Sequence, residues 1–257
     1  MHSVCKPGLA LCIVVLAGIL SGAHASADET PVQIGIEPAA NVTGVAARYR
    51  LMQFLRAQGC NADIRLDVTA SDLALAFVTG TPDDFAAAPV LAAVNRNGHL
   101  PVPVWVTRRP AGVRSISELH GRDLATVAGR DPLGADLPLA ALKNEGVTPE
   151  PGQFYEAGDF SSALGLLLHN NTHAAVSELG FIKPFLARNS LVVSWHGEPV
   201  NAAGWYRQAG WGRAVTACEK ALVRTQRADD PQMFRIFPEW VYGFAVPNSQ
   251  YSEDVTQ

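Results

Sequence analysis

Residues 121–147 read GRDLATVAGRDPLGADLPLAALKNEGV. Asp123 to Ala128 is a short apolar run, followed by the turn Gly129-Arg130-Asp131-Pro132. Ala135, Leu139, Ala140 and Leu142 then recur at helical spacing until Gly146 stops the pattern. The order is strand, loop, helix. In an open α/β sheet, small ligands bind at the loop that leaves a strand's carboxyl end and enters a helix. The first N–H groups of the helix have no intrahelical partner there, and the dipole presents its positive end. The loop 129–135 is therefore the expected contact with a small molecule.

The chain around this unit repeats its logic. Upstream, VQIGI (Val32–Ile36) is a strand, and Val45, Tyr49, Met52 and Leu55 give an expected inward helix face. Ala62 to Val68 alternates as a strand, and Ser71 is expected to cap a helix through Leu73, Leu75, Ala76 and Phe77 to Gly80. Asp84 to Ala88 reads as a buried strand stopped by Pro89, and Ala92 to Asn97 as helical. Val102 to Thr107 is a strand whose Pro103 predicts an edge or a bend. The punctuated run Arg108-Arg109-Pro110-Ala111-Gly112 marks a boundary, and Ser115 with Glu118 predicts a capping box. Downstream the spacing predicts a strand at Gln153–Glu156, a helix at Ser161–His169, a strand at Ala174–Ser177, a helix at Phe181–Arg188 and a strand at Leu191–Trp195. Gly197 to Gly204 reads as a second crossing, after which Trp205-Tyr206-Arg207 is strand-like and Arg213–Arg224 helical, with Ala214, Ala217, Ala221 and Leu222 inward. The aromatic tail Met233–Val246 is expected to pack. Two βα runs joined by two crossings predict a two-lobed α/β clamshell with a cleft between the lobes. The expected division is 28–108 plus 203–257 for one lobe and 109–202 for the other.

Composition narrows the partners. Lys6, the apolar run Leu9–Leu20 and Ala23-His24-Ala25 have the three-part layout of a secretory leader over residues 1–25. Twelve apolar residues fall short of the ~20 that span a bilayer, so the expected product is exported, periplasmic and soluble. Lys6 is the leader's only formal charge, so its removal takes the net charge from -4 to -5. With no Lys/Arg run, nucleic acid and anionic membrane surfaces are poor partners. With 48% hydrophobic residues the chain can bury a large core. Cys60 and Cys218 remain, as a disulfide or as two buried thiols; neither has metal-site spacing. His169 and His173 are four apart but flank the turn-like Asn170-Asn171, so no metal or cofactor is expected. GxSxG, HExxH and phosphate-loop patterns are absent, and no enzyme activity is expected.

The succession IGIEP, RYRLMQFL, DLALAFVTGTPDDFAAAPV, SISELHGRDLAT and the loop-helix ending LKNEGV resembles the phosphate/phosphite/phosphonate-type substrate-binding proteins of ABC transporters. Those belong to the type II periplasmic binding protein fold, whose lobes are mixed, mostly parallel sheets flanked by helices. The resemblance runs from about Pro31 to Tyr251 and implies a monomeric receptor that closes on a small molecule. It would deliver the ligand to an ABC-type permease, or alternatively report it to a membrane sensor kinase.

Two departures from the family bear on the ligand. The family's Ser-Thr-Ser-Gly run at this helix N-terminus is replaced by Asp131-Pro132-Leu133-Gly134. Each hydrogen bond to a charged group contributes ~1.5–3 kcal/mol, so three missing hydroxyls amount to roughly 5–9 kcal/mol, against about 8 kcal/mol for a whole micromolar ligand. In GDFSSALG, Phe160 stands where the family often has a histidine, offering a ring face instead of a charged donor. A simple phosphonate is thereby disfavoured. Glu37, Asp131, Asp159 and Glu178 each follow a strand's carboxyl end. Converging, they would favour an amine, a zwitterion or a cation; separately, they serve as helix caps. By resemblance, Glu178 aligns with an acid that binds a ligand amino group. Glu37, Pro89, Asp131, Leu133, Gly134, Ala135, Asp159, Phe160, Ser161 and Glu178 are the expected cleft residues, with Arg130 and Arg207 as the available cations. Trp205 and Tyr206 divide between cleft and core.

Overall fold

A computed structural model describes residues 30–39, 44–80, 88–208 and 212–247. The leader and Asp84–Ala87 of the expected buried strand lie outside the described residues. The chain runs β1 (Val32–Ile36), α1 (Val45–Ala57), β2 (Ala62–Arg65), β3 (Leu75–Thr79), β4 (Leu91–Val94), β5 (Pro103–Arg108), β6 (Leu124–Val127) and α2 (Asp136–Asn144). It continues through β7 (Phe154–Ala157), α3 (Phe160–Leu168), β8 (Ala174–Glu178), α4 (Leu179–Leu186), β9 (Leu191–His196), β10 (Ala203–Arg207), α5 (Arg213–Val223) and β11 (Gly243–Ala245).

Two mixed sheets result, ordered β11-β4-β10-β3-β1-β2 and β7-β6-β8-β5-β9. Strands β2 and β3 flank β1 in parallel, while β10 and β11 run antiparallel to their neighbours. In the second sheet β6 is parallel to β7 and β8, and β5 is antiparallel to β8 and β9. This is the expected two-lobed α/β arrangement, with the first lobe built from both ends of the described chain. The sheets are mixed without being mostly parallel: among the described residues four strand pairings are parallel and five antiparallel.

Several local expectations change. Leu75–Thr79 and Leu91–Val94 are strands instead of helices, and every residue in both is buried. A strand covered on both faces is a continuous apolar run that periodicity does not separate from a buried helix. Helix α1 forms where expected but on a different face: Ala47, Leu51 and Leu55 are inward, while Val45 and Tyr49 are 65% and 60% exposed. On α5 the inward set is Val215, Cys218, Ala221 and Leu222. The Ser115 side chain caps nothing and instead meets the Ser117 hydroxyl at 2.6 Å, so the capping box is not formed.

The first crossing also moves. Strand β5 pairs with β8 and β9 in the interior of the second sheet, so the chain leaves the first sheet between Val94 and Pro103, upstream of the expected Arg108–Gly112. Pro103 is tolerated there as the first residue of its strand. The two crossing segments are therefore 95–102 and 197–202. Glu178 pins the first of them. It is fully buried; its Oε1 accepts from Asn95 Nδ2 at 2.9 Å and Val102 N–H at 3.2 Å, and its Oε2 accepts from Phe181 N–H at 2.7 Å.

Cys60 and Cys218 form a disulfide with Cα atoms 4.8 Å apart. It ties α5, reached only after the second lobe is complete, to the chain just before β2. The closed loop spans 158 positions, so the bond removes much of the unfolded chain's freedom. Replacing both cysteines by serine should lower the unfolding free energy by about 2–5 kcal/mol, read as a lower urea midpoint. An unchanged midpoint would show that the crosslink does not constrain the unfolded chain.

Candidate ligand-binding site

A cavity of ≈ 240 Å³ opens at the carboxyl ends of β1, β3, β6 and β7. Its walls come from both lobes: Glu37–Ala39, Thr79, Arg235 and Phe237–Glu239 on one side, Val127–Asp131 and Gly158–Phe160 on the other. That volume is near the lower end of the range for small-molecule clefts. The lobes approach closely beside it. Gly80, with φ +76°, faces the Arg130 carbonyl oxygen, which a β-carbon there would meet at 3.4 Å.

The opening loop departs from a simple anion cradle. Asp131 folds it back on itself: its Oδ1 accepts from Leu133 N–H at 2.9 Å, and its carbonyl from Gly134 N–H at 2.9 Å. Gly134 in turn returns its carbonyl to Val127 N–H at 2.8 Å, and Leu133 is fully buried in the core. A β-carbon on Gly134 would lie 2.9 Å from that of Val127, so glycine is what allows the close return. The Leu133 and Gly134 N–H groups are thus spent inside the loop, and Leu133, Gly134 and Ala135 do not line the cavity.

The start of α3 has different partners. Its first three N–H groups, on Phe160, Ser161 and Ser162, have no intrahelical acceptor. Asp159 caps conventionally, accepting from Ser162 N–H at 2.7 Å. Ser161 is served from the opposite lobe: Glu239 Oε2 accepts its N–H at 2.8 Å, and Oε1 accepts its hydroxyl at 2.5 Å. Next to it, Trp240 donates its indole N–H to Asp131 Oδ2 at 2.6 Å, a second bond between the lobes.

Of the expected cleft residues, Glu37, Asp131, Asp159 and Phe160 line the cavity together. Glu37 is held by the Thr79 N–H (3.0 Å) and hydroxyl (2.8 Å). Phe160 is 2% exposed and packs against Phe181, so it acts mainly as core. Pro89 lies against Gly204, and Glu178 is committed to the crossing. Arg207 is ion-paired to Glu219 at 2.6 Å, away from the cavity. Trp205 and Tyr206 are both buried, Trp205 in the aromatic cluster with Phe77, Phe237 and Phe244. Arg235 and Glu239 line the cavity from the tail, where the sequence signalled only packing. His169 ends α3, whereas His173 sits 3.5 Å from Asp123. No group of three metal-ligating side chains occurs among the described residues.

Asp131 titrates abnormally. Burial raises its pKa from 3.8 to about 6; the Trp240 and Leu133 hydrogen bonds oppose this, and the charge of Glu178 adds to it.

No family model matches the sequence, and neither does any curated protein sequence. Solved structures do. PhnD1 from Prochlorococcus marinus in complex with methylphosphonate superposes with a TM-score of 0.58 at 15% identity, covering 85% of this chain and 93% of that one. A Xanthomonas citri protein bound to chloride ion gives 0.57 at 15%, covering 84% and 91%. The binding-protein component of an ABC phosphonate transporter from Pseudomonas aeruginosa gives 0.53 at 10%, covering 84% and 81%. The chain has the periplasmic binding protein fold. At these identities the likeness establishes the scaffold, and the ligand chemistry has to come from the cavity itself.

Because its acid is weakened by folding, native Asp131 holds a proton between about pH 4 and 6 that the unfolded chain releases. Its charge therefore destabilises the fold fully above about pH 6 and not at all below about pH 4. Wild type should gain stability relative to Asp131→Asn as pH falls through that window, measured as urea midpoints. A difference independent of pH would contradict the raised pKa.

Proposed function

We propose that the protein is a periplasmic solute-binding protein that captures a small polar ligand between its lobes for an ABC-type importer. The observation that carries this reading is the cavity at the strand ends, walled by both lobes and joined by two crossing segments, the geometry in which hinge closure engulfs a ligand. The Cys60–Cys218 disulfide fits an oxidising compartment, in keeping with the secretory layout of residues 1–25.

The cavity's chemistry argues for a ligand unlike the methylphosphonate held by PhnD1. Four carboxyl groups, Glu37, Asp131, Asp159 and Glu239, face it against two guanidinium groups, Arg130 and Arg235. In the loop that would cradle an oxyanion, the Leu133 and Gly134 N–H donors are spent on Asp131. A ligand carrying an amine, alone or as a zwitterion whose acid meets Arg130 or Arg235, matches this balance; a dianion does not.

Thermal-shift measurements with amines, amino acids, methylphosphonate, inorganic phosphate and divalent cations test the reading. A ligand at a hundred times its Kd adds about 2.7 kcal/mol. For a chain of this size that raises Tm by roughly 5–10 °C. An amine-bearing compound should produce such a shift, and methylphosphonate should not. A shift with methylphosphonate alone would overturn the ligand class, and no shift across a broad metabolite set would overturn solute capture.

A further inference from the structure

We propose that Glu239 is a specificity-determining residue: a built-in anion that fills the N-terminus of α3 from the opposite lobe and bars anionic ligands from that helix. The proposal rests on the cleft being a ligand site and adds how one ligand class is rejected.

Ser161 offers two donors at the start of α3, and both go to one carboxylate, N–H to Oε2 and hydroxyl to Oε1. A bidentate anion at a helix N-terminus is the arrangement an oxyanion ligand would itself adopt. Asp159 already takes the next donor, Ser162 N–H. An incoming anion would find the Ser161 N–H, the Ser161 hydroxyl and the Ser162 N–H already taken, and would meet two like charges.

The carboxylate is held there by more than its own bonds. Arg227 gathers the backbone of the loop that carries it. Its Nε donates to Val241 O at 2.7 Å, and its Nη2 to Pro238 O at 2.8 Å and Phe234 O at 3.1 Å. Its guanidinium also lies 5.4 Å from the Phe234 ring centre and 5.7 Å from that of Tyr242. On the far side of Glu239, the fully buried Trp240 is fixed by its bond to Asp131. On the near side, Phe237 is locked edge-on against Phe77, Trp205 and Phe244. The loop is thus ordered before any ligand arrives, and Glu239 reaches Ser161 without the ordering cost that a free anion bears. Removing the side chain should expose Ser161 N–H and hydroxyl to the cavity while leaving the loop's anchors intact.

The experiment is calorimetric titration of wild type, Glu239→Ala and Glu239→Gln with acetate, inorganic phosphate and methylphosphonate, with circular dichroism as the check on folding. Glu239→Ala should bind at least one of these anions ten-fold or more tightly than wild type does. A folded alanine variant with no gain for any of the three overturns the proposal, as does wild type binding them equally well. If the alanine variant does not fold, Glu239→Gln decides. It keeps the volume and one acceptor but no charge, and should show a smaller gain in the same direction; no gain there counts against the proposal. The broader reading is separable. Wild type that binds an amine-bearing ligand, with no anion gain in the variants, keeps solute capture and removes the role of Glu239. An anion gain with no native ligand found supports the role of Glu239 and leaves solute capture to fail by its own test.

Discussion

The two lobes meet through hydrogen bonds from one short loop. Glu239 and Trp240, adjacent in sequence, reach across the cleft to the two cavity-lining loops of the second lobe, Ser161 at the start of α3 and Asp131 before α2. Each bond satisfies a group that folding would otherwise strand. The Ser161 N–H has no acceptor within its helix, and the Asp131 carboxyl is desolvated enough to titrate near pH 6. The loop that makes these bonds is anchored in its own lobe by Arg227, which remains a cation although burial lowers its pKa to about 10. The cleft is therefore shaped jointly by the tail of the chain and by strand ends formed some eighty to two hundred residues earlier.

The acids of the cleft illustrate how one residue type serves two ends. Glu37, Asp159, Glu178 and Glu239 all accept backbone N–H groups, and three of them do so close to a helix start, where the dipole favours negative charge. What separates Glu178 is location. It faces the crossing between the lobes, where it holds Asn95 and Val102, while the other three reach the cavity. An acid after a strand is thus compatible with cap, hinge pin or ligand contact, and only the third dimension distinguishes them.

Much of the scaffold was legible in the sequence because alternation and punctuation are local. The strand at Leu124–Val127, the helix behind it, α3 and the return through Trp205 all follow from spacing. Leu75–Thr79 and Leu91–Val94 were misread because their neighbours cover both faces, which erases the period that distinguishes strand from helix. The inward face of α1 was misjudged because Val45 and Tyr49, apolar by type, lie on its solvent side. The cleft was legible in part. Residues that follow strands, such as Glu37, Asp131 and Asp159, could be placed by topology. Arg235 and Glu239 could not, since nothing local to the aromatic tail signals a contact with Ser161, 78 positions away.

The central claim, that the protein's own carboxylate occupies the start of α3, is tested most directly by amide hydrogen exchange at Ser161 in purified protein without added ligand. As the second residue of the helix, its N–H has no intrahelical acceptor, so any protection reports the bond from the opposite lobe. The account predicts slow exchange at Ser161 in wild type and fast exchange in Glu239→Ala, with the middle of α3 unchanged in both. Fast exchange at Ser161 in wild type would contradict it.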